Sequence, residues 1–224
     1  MTTVQPSVSF VPNSAVDDRS SKREPVLRLL DLTIGIVAIL IFGPLMIALA
    51  IIIYASNPGP IFFVQQRIGL NGKSFACFKF RTMVVDAQER LARLLEEDPA
   101  ARLEWARDHK LRSDPRITSV GRFLRKSSFD ELPQFFNLIN GTMSAVGPRP
   151  IVHAEIARYG RWFGDYCRVK PGITGLWQVS GRSDTTYRRR VALDVAYSRH
   201  RSIGLNFKIM LMTIPAVLAA RGSR

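Results

Sequence analysis

The stretch LTIGIVAILIFGPLMIALAIIIYA, Leu32 to Ala55, holds 24 residues and no charged side chain. Coiled into one α-helix it would measure about 36 Å, against roughly 30 Å of bilayer hydrocarbon. The run is too long for the apolar core of a signal peptide, and no small-residue cleavage site follows it. A helix that is apolar on every side belongs in a protein core or in a membrane, and this length and uniformity favour the membrane.

Two features complicate a simple span. Gly43-Pro44 falls in the middle of the run. Proline removes a backbone donor and crowds the preceding turn, so a bend is expected there. Both flanks are also basic: Lys22, Arg23 and Arg28 precede the run, and Arg67, Lys73, Lys79 and Arg81 follow it. Basic flanks mark the cytoplasmic side of a membrane, and a spanning helix shows them on one side only. A kinked span and a re-entrant helix that bends at Gly43-Pro44 and returns both fit these residues.

Outward from this segment, the whole chain is basic, with a formal net charge of +14 over 224 residues. Such a surplus favours an anionic partner: a phosphorylated substrate, anionic lipid or nucleic acid. The long apolar run and the lack of a recognised binding motif argue against nucleic acid. Cys77 and Cys167 have no metal-type spacing and read as reduced structural thiols of a cytosolic setting. His109, His153 and His200 are scattered, which disfavours a zinc site.

Residues 1–24 are polar and read as a disordered tail. After a turn at Pro58-Gly59-Pro60, residues 61–66 and 75–80 read as strands joined at Asn71-Gly72. Residues 84–112 read as amphipathic helix divided at Pro99. Residues 135–139 read as a helix ended by Asn140-Gly141, and residues 152–163 as another. The glycines of KPGITGLWQVSGR, residues 170–182, predict an ordered loop. The apolar run 203–220, interrupted by Lys208 and Pro215, suits an interfacial amphipathic helix.

The stretch RKSSFDELPQ, Arg125 to Gln134, supports two readings. Ser128 and Glu131 match a capping box, and acidic side chains suit a helix N-terminus. Alternatively, Asp130 and Glu131 divide chemical labour, since adjacent helical residues point about 100° apart and cannot face one substrate as a matched pair. Arg122, Arg125, Lys126 and Arg149 surround the pair in sequence. Carboxylates among arginines suit a site for a metal-bound phosphate. Arg149, in the rigid Gly147-Pro148-Arg149-Pro150 loop, has the planar fork of a phosphate clamp.

Taken in order, KFRTM (79–83), DPRIT (114–118), RKSSFDELPQFFNLINGTMSAVGPRP (125–150) and KPGITGLWQVSGR (170–182) resemble the bacterial sugar transferases. These are the monotopic polyprenyl-phosphate phosphoglycosyl transferases that start exopolysaccharide and O-antigen chains. The resemblance runs from about Leu27 to the C-terminus. It implies an α+β architecture with a re-entrant helix-break-helix over 25–56 and a small cytosolic catalytic domain over 57–224, built from short strands and interfacial amphipathic helices. It places the protein at the bacterial inner membrane, with the catalytic domain on the cytoplasmic face.

The implied reaction takes UDP-sugar and polyprenyl phosphate to polyprenyl-diphospho-sugar and UMP. By the resemblance, Asp130 is the nucleophile of a phosphosugar–aspartyl intermediate. Glu131 helps hold Mg2+, or another divalent cation, at the acidic pair or orients Asp130. Arg125 and Arg149 fall on phosphate-binding positions, with Lys79 and Arg81 as weaker candidates. Trp177 and Gln178 are core or substrate lining. Family members commonly place Ser-Pro at the bend, where this chain has Gly43-Pro44. The competing class is a non-enzymatic basic protein of the membrane surface that binds anionic lipid; it explains the charge but not the ordered motifs.

Overall fold

The computed structural model describes residues 18–108, 111–181 and 186–218. Most of the expected disordered tail, together with His109 and Arg182, lies outside the described residues. In chain order the elements are α1 (Asp18–Ser56), β1 (Phe62–Ile68), β2 (Ser74–Phe80), α2 (Ala87–Glu97), α3 (Pro99–Asp108) and α4 (Ser119–Ser127). A 3-10 turn over Phe129–Glu131 leads to α5 (Gln134–Asn140) and β3 (Ser144–Val146). Then come α6 (Ile156–Tyr159), α7 (Phe163–Tyr166), β4 (Gly172–Thr174), α8 (Leu176–Val179), α9 (Tyr187–His200) and α10 (Ile203–Leu218). β1 pairs with β2, and β3 pairs in parallel with β4, so the class is α+β with helix dominant.

α1 is the one helix among the described residues long and apolar enough to cross a membrane, and only 22% of its most apolar window is buried. Helical conformation continues through Gly43-Pro44 without interruption, where two helices with a break were expected. A single proline forfeits one ladder bond, and its fixed φ is itself helical. Leu40, Ile41, Ile47, Ile51 and Ile52 stand exposed along it.

The described chain forms two compact units, and α1 contributes to both. Among the described residues, the first contains 18–37, 66–77, 135–181 and 186–218. Here Arg28 donates to the carbonyls of Leu138 and Ile139 at 2.7 and 2.5 Å, meeting the orphaned acceptors at the end of α5. Buried Asp31 accepts from Ser144 Oγ at 3.0 Å and from the Ala145 amide at 2.7 Å. Gly35 lets α1 approach α5 closely, since a Cβ there would lie 2.9 Å from Ile139 Cγ1. One apolar cluster gathers Leu138, Val146, Val169, Tyr197 and Ile209; another gathers Ile68, Ile151, Tyr159, Tyr166 and Val191. In the turn between the first two strands, Asn71 and Gly72 both have positive φ, 57° and 72°, as a tight hairpin requires.

The expected loop at 170–182 is instead strand β4 and one helical turn, α8. Its glycines serve close approach. A Cβ on Gly172 would lie 2.0 Å from the Gly147 amide, and one on Gly175 2.1 Å from the Gly147 carbonyl. The expected helix at 152–163 is likewise broken into short turns, with Gly160 at φ 50° between α6 and the next turn.

The second unit contains residues 38–65 and 78–134. Met46, Leu49 and Ile53 of α1 pack with Phe80 of β2 and Leu124 of α4. Burying each such side chain contributes roughly 1.5–3 kcal/mol. α2 and α3 divide at Pro99, as expected; Asp98 accepts from the amides of Ala100 and Ala101 at 2.8 and 3.1 Å. Proline at the first helical position costs no bond, because that amide is unpaired in any helix.

Candidate active site

α4 leads into the acidic pair, and its seat is set by Gly121. A Cβ at that position would fall 1.9 Å from the Thr82 carbonyl, so only glycine lets α4 lie so close to the segment after β2. Thr118 caps the helix through the Gly121 amide at 2.8 Å and bonds Thr82 O through its own amide at 3.1 Å. The helix ends at Ser128, which adopts the left-handed region at φ 60°. The 3-10 turn bearing Asp130 and Glu131 follows at once.

Ser128 makes no side-chain cap to that turn, so the capping-box reading fails here. An N-cap has extended backbone, whereas Ser128 is committed to closing α4. Glu131 instead reaches across to β2, where Lys79 Nζ donates to its Oε1 at 2.6 Å. Asp130 is half-buried, and its pKa is pushed up to about 6. Burial is the main cause and the Glu131 charge the second; Lys79 and Arg125 pull the other way. Arg125 donates Nε to Thr82 Oγ1 at 2.9 Å; burial weakens its hold on its proton, while the charge of Asp130 strengthens it. Lys79, Arg125, Asp130 and Glu131 are thus brought together.

Arg81 is placed differently. It is 9% exposed and donates to the Asn57 carbonyl, holding the turn after α1. A Cβ on Gly59 would lie 2.5 Å from its guanidinium. Its position is that of a structural tie, not of ordinary surface charge.

Arg149 belongs to the first unit. Its guanidinium lies over the Trp177 ring at 5.5 Å, and the guanidinium of Arg190 lies over the same ring at 4.6 Å. Beneath them, Asp194 is 1% exposed, accepts from Tyr159 Oη at 2.7 Å and interacts with the Arg149 amide. Sequence reasoning missed Arg190, Tyr187 and Asp194. Their spacing at i, i+3 and i+7 on α9 was the available signal, but Arg190 ends an Arg-Arg-Arg run that reads as surface charge.

The fold and these constellations define the class: the chain belongs to the bacterial sugar transferase family, whose model matches residues 22–220. It is 47% identical over 196 residues to an undecaprenyl-phosphate galactose phosphotransferase of Salmonella typhimurium. That match covers 88% of this chain and 41% of the relative, so the chain spans about two fifths of that protein's length. It is 45% identical to the exopolysaccharide production protein ExoY of Rhizobium meliloti, covering 88% of this chain and 87% of the relative. A UDP-glucose:undecaprenyl-phosphate glucose-1-phosphate transferase of Xanthomonas campestris is 39% identical, over 85% of this chain and 38% of its own length.

Proposed function

We propose that this protein transfers a sugar-1-phosphate from a UDP-sugar to polyprenyl phosphate, the starting step of exopolysaccharide or related glycan assembly. The observation that carries the reading is the half-buried Asp130 carboxylate, its pKa raised, beside a Lys79–Glu131 bond and Arg125. With a pKa of about 6, Asp130 is mostly ionised at neutral pH yet poorly solvated, the state suited to nucleophilic attack.

An Asp130 oxygen attacks the sugar-bearing phosphorus, the bond to the UMP oxygen breaks, and UMP leaves. A phosphosugar–aspartyl acyl phosphate remains. An oxygen of polyprenyl phosphate then attacks the same phosphorus, the aspartyl bond breaks, and Asp130 is regenerated as polyprenyl-diphospho-sugar departs. Arg125 faces the developing negative charge. Lys79 fixes Glu131, whose field keeps Asp130 basic. Positioning and charge neutralisation dominate such transfers.

A divalent cation fits this donor set. Asp130 and Glu131 repel each other, which a cation would relieve, and magnesium commonly needs only one or two carboxylates beside substrate phosphates. Asp130 and Glu131 would hold it, and its chemistry there is neutralisation of phosphate charge.

The site faces the cytoplasm, where nucleotide sugars are made, and α1 enters that leaflet, bends near Gly43-Pro44 and returns. The exposed apolar row Ile203, Phe207, Leu211 and Ile214 on α10 rests at the lipid interface. The experiment is UMP release from a panel of UDP-sugars, with polyprenyl phosphate and magnesium supplied in nanodiscs. A phosphosugar adduct on Asp130, seen by mass spectrometry when lipid acceptor is withheld, is the expected intermediate. A surface protein that merely binds anionic lipid would give neither product nor adduct.

A further inference from the structure

We propose that Arg190 and Arg149 together form a two-guanidinium receptor for a phosphoryl group, with Trp177 as their shared platform. The inference rests on the phosphate role given to Arg149 and extends it to a second residue and to the ligand's charge.

The geometry is that of a built site. Both guanidinium groups lie over one indole ring, at 5.5 and 4.6 Å. Two like charges held against one indole repel, and Arg149 works against the charge on Arg190. The Nε atoms of both arginines, the indole nitrogen of Trp177 and the Tyr187 hydroxyl are all buried without a hydrogen-bond partner. An orphaned buried polar atom destabilises the fold, and several in one cluster mark a place arranged for something other than stability.

The local anions do not balance the cations. Arg158 stands 4.7 Å over Tyr187, adding a third guanidinium to the cluster. Asp194 is the buried carboxylate here, and burial raises its pKa to about 7, so it is only partly ionised at neutral pH. Glu155, which also acts on Arg190, accepts from the Val152 amide at 3.0 Å and lies 3.9 Å from Arg67. Among the described residues, three guanidinium groups thus face two carboxylates, one of them shared with Arg67. A tetrahedral phosphoryl group supplies negative charge and acceptors for forked donors. Stacking on Trp177 holds both forks while leaving their donors available for such bonds.

The phosphoryl group has two sources in the proposed reaction: the diphosphate of the nucleotide sugar and the head of the lipid acceptor. Isothermal titration of the full-length protein in nanodiscs separates them, with UDP as one probe and farnesyl phosphate as the other. Arg190→Gln is expected to weaken one probe at least tenfold and the other less than threefold; the weakened probe names the source. Arg190→Lys is expected to recover part of the affinity. Affinity for both probes within twofold of wild type, in a variant with an unchanged melting temperature, would overturn the proposal. If Arg190→Gln fails to fold, Arg190→Lys decides: wild-type affinity for both probes overturns it, and a selective loss supports it. Kinetics provide the second readout: the KM for the matching substrate is expected to rise tenfold with kcat changed less than threefold. A fall in kcat alone would make Arg190 structural and reject the receptor. Because binding is read without turnover, absence of transferase activity would refute the proposed reaction and leave the receptor to be judged on titration.

Discussion

Lys79 Nζ sits 2.6 Å from Glu131 Oε1, so strand β2 is bonded directly to the turn that presents Asp130. The neighbouring carboxylate is thereby fixed in place, and its charge raises the Asp130 pKa while the lysine charge lowers it. The two residues set the protonation of a third.

Asp130→Asn is expected to abolish turnover and to stabilise the fold. The folded pKa of about 6 exceeds the ordinary 3.8, so the folded state binds this proton more tightly than the unfolded chain. Stability therefore falls as pH rises from about 4 to about 6 and stays lowered at pH 7. The neutral amide escapes that cost and is expected to gain about 1–3 kcal/mol at pH 7. Thermal melts at pH 7 and pH 4 check this: the variant's advantage is expected at pH 7 and to shrink at pH 4. Retention of more than a few per cent of turnover would remove Asp130 from covalent catalysis.

Lys79→Met is expected to move the acid limb of the kcat/KM profile to higher pH. The lysine charge holds the Asp130 pKa down, and its loss leaves burial and Glu131 unopposed from that side. In the wild type the limb is expected near pH 6. Rate profiles between pH 5 and 9 measure both; coincident limbs would show that Lys79 does not tune Asp130.

Arg149→Lys is expected to lower kcat/KM by roughly 1–3 kcal/mol, because an ammonium cannot form two parallel bonds to one phosphate. Steady-state kinetics with both substrates provide the measurement. Near-normal values would leave Arg149 a structural member of its loop.

The re-entrant arrangement is tested by single cysteines at Ser14 and Lys73, in a background lacking Cys77 and Cys167. On intact spheroplasts a membrane-impermeant thiol reagent is expected to label neither. Labelling at Ser14 alone would establish a true span. Pro44→Ala is expected to increase Ser14 labelling by straightening part of the population.

The sequence was most legible where one residue type is demanded by backbone geometry. Asn71-Gly72 needs positive φ at two positions, Pro99 can only start a helix, and Gly141 at φ 80° ends α5. It was least legible where tertiary contact overrides local pattern. The spacing of Ser128 and Glu131 is the same whether serine caps the next turn or closes the previous helix; its φ of 60° decides, and spacing does not encode φ. Strands of three residues have no periodicity to read, so β3 and β4 left no signal beyond glycines that resemble a loop. At the site, Asp130 and Glu131 stood out by type and neighbours. Arg190 did not, because three consecutive arginines give no hint of which one meets an indole.

Arg28 and Asp31 hydrogen-bond α5 and β3 from within α1. The N-terminal helix is consequently not a detachable tether. Cutting it away to obtain a freely soluble enzyme would uncap one helix and strip a buried strand of its acceptor, and exchanging it for a generic lipid anchor would do the same. A solubilised variant has to keep the first turns of α1 and redesign only the lipid-facing side chains beyond them.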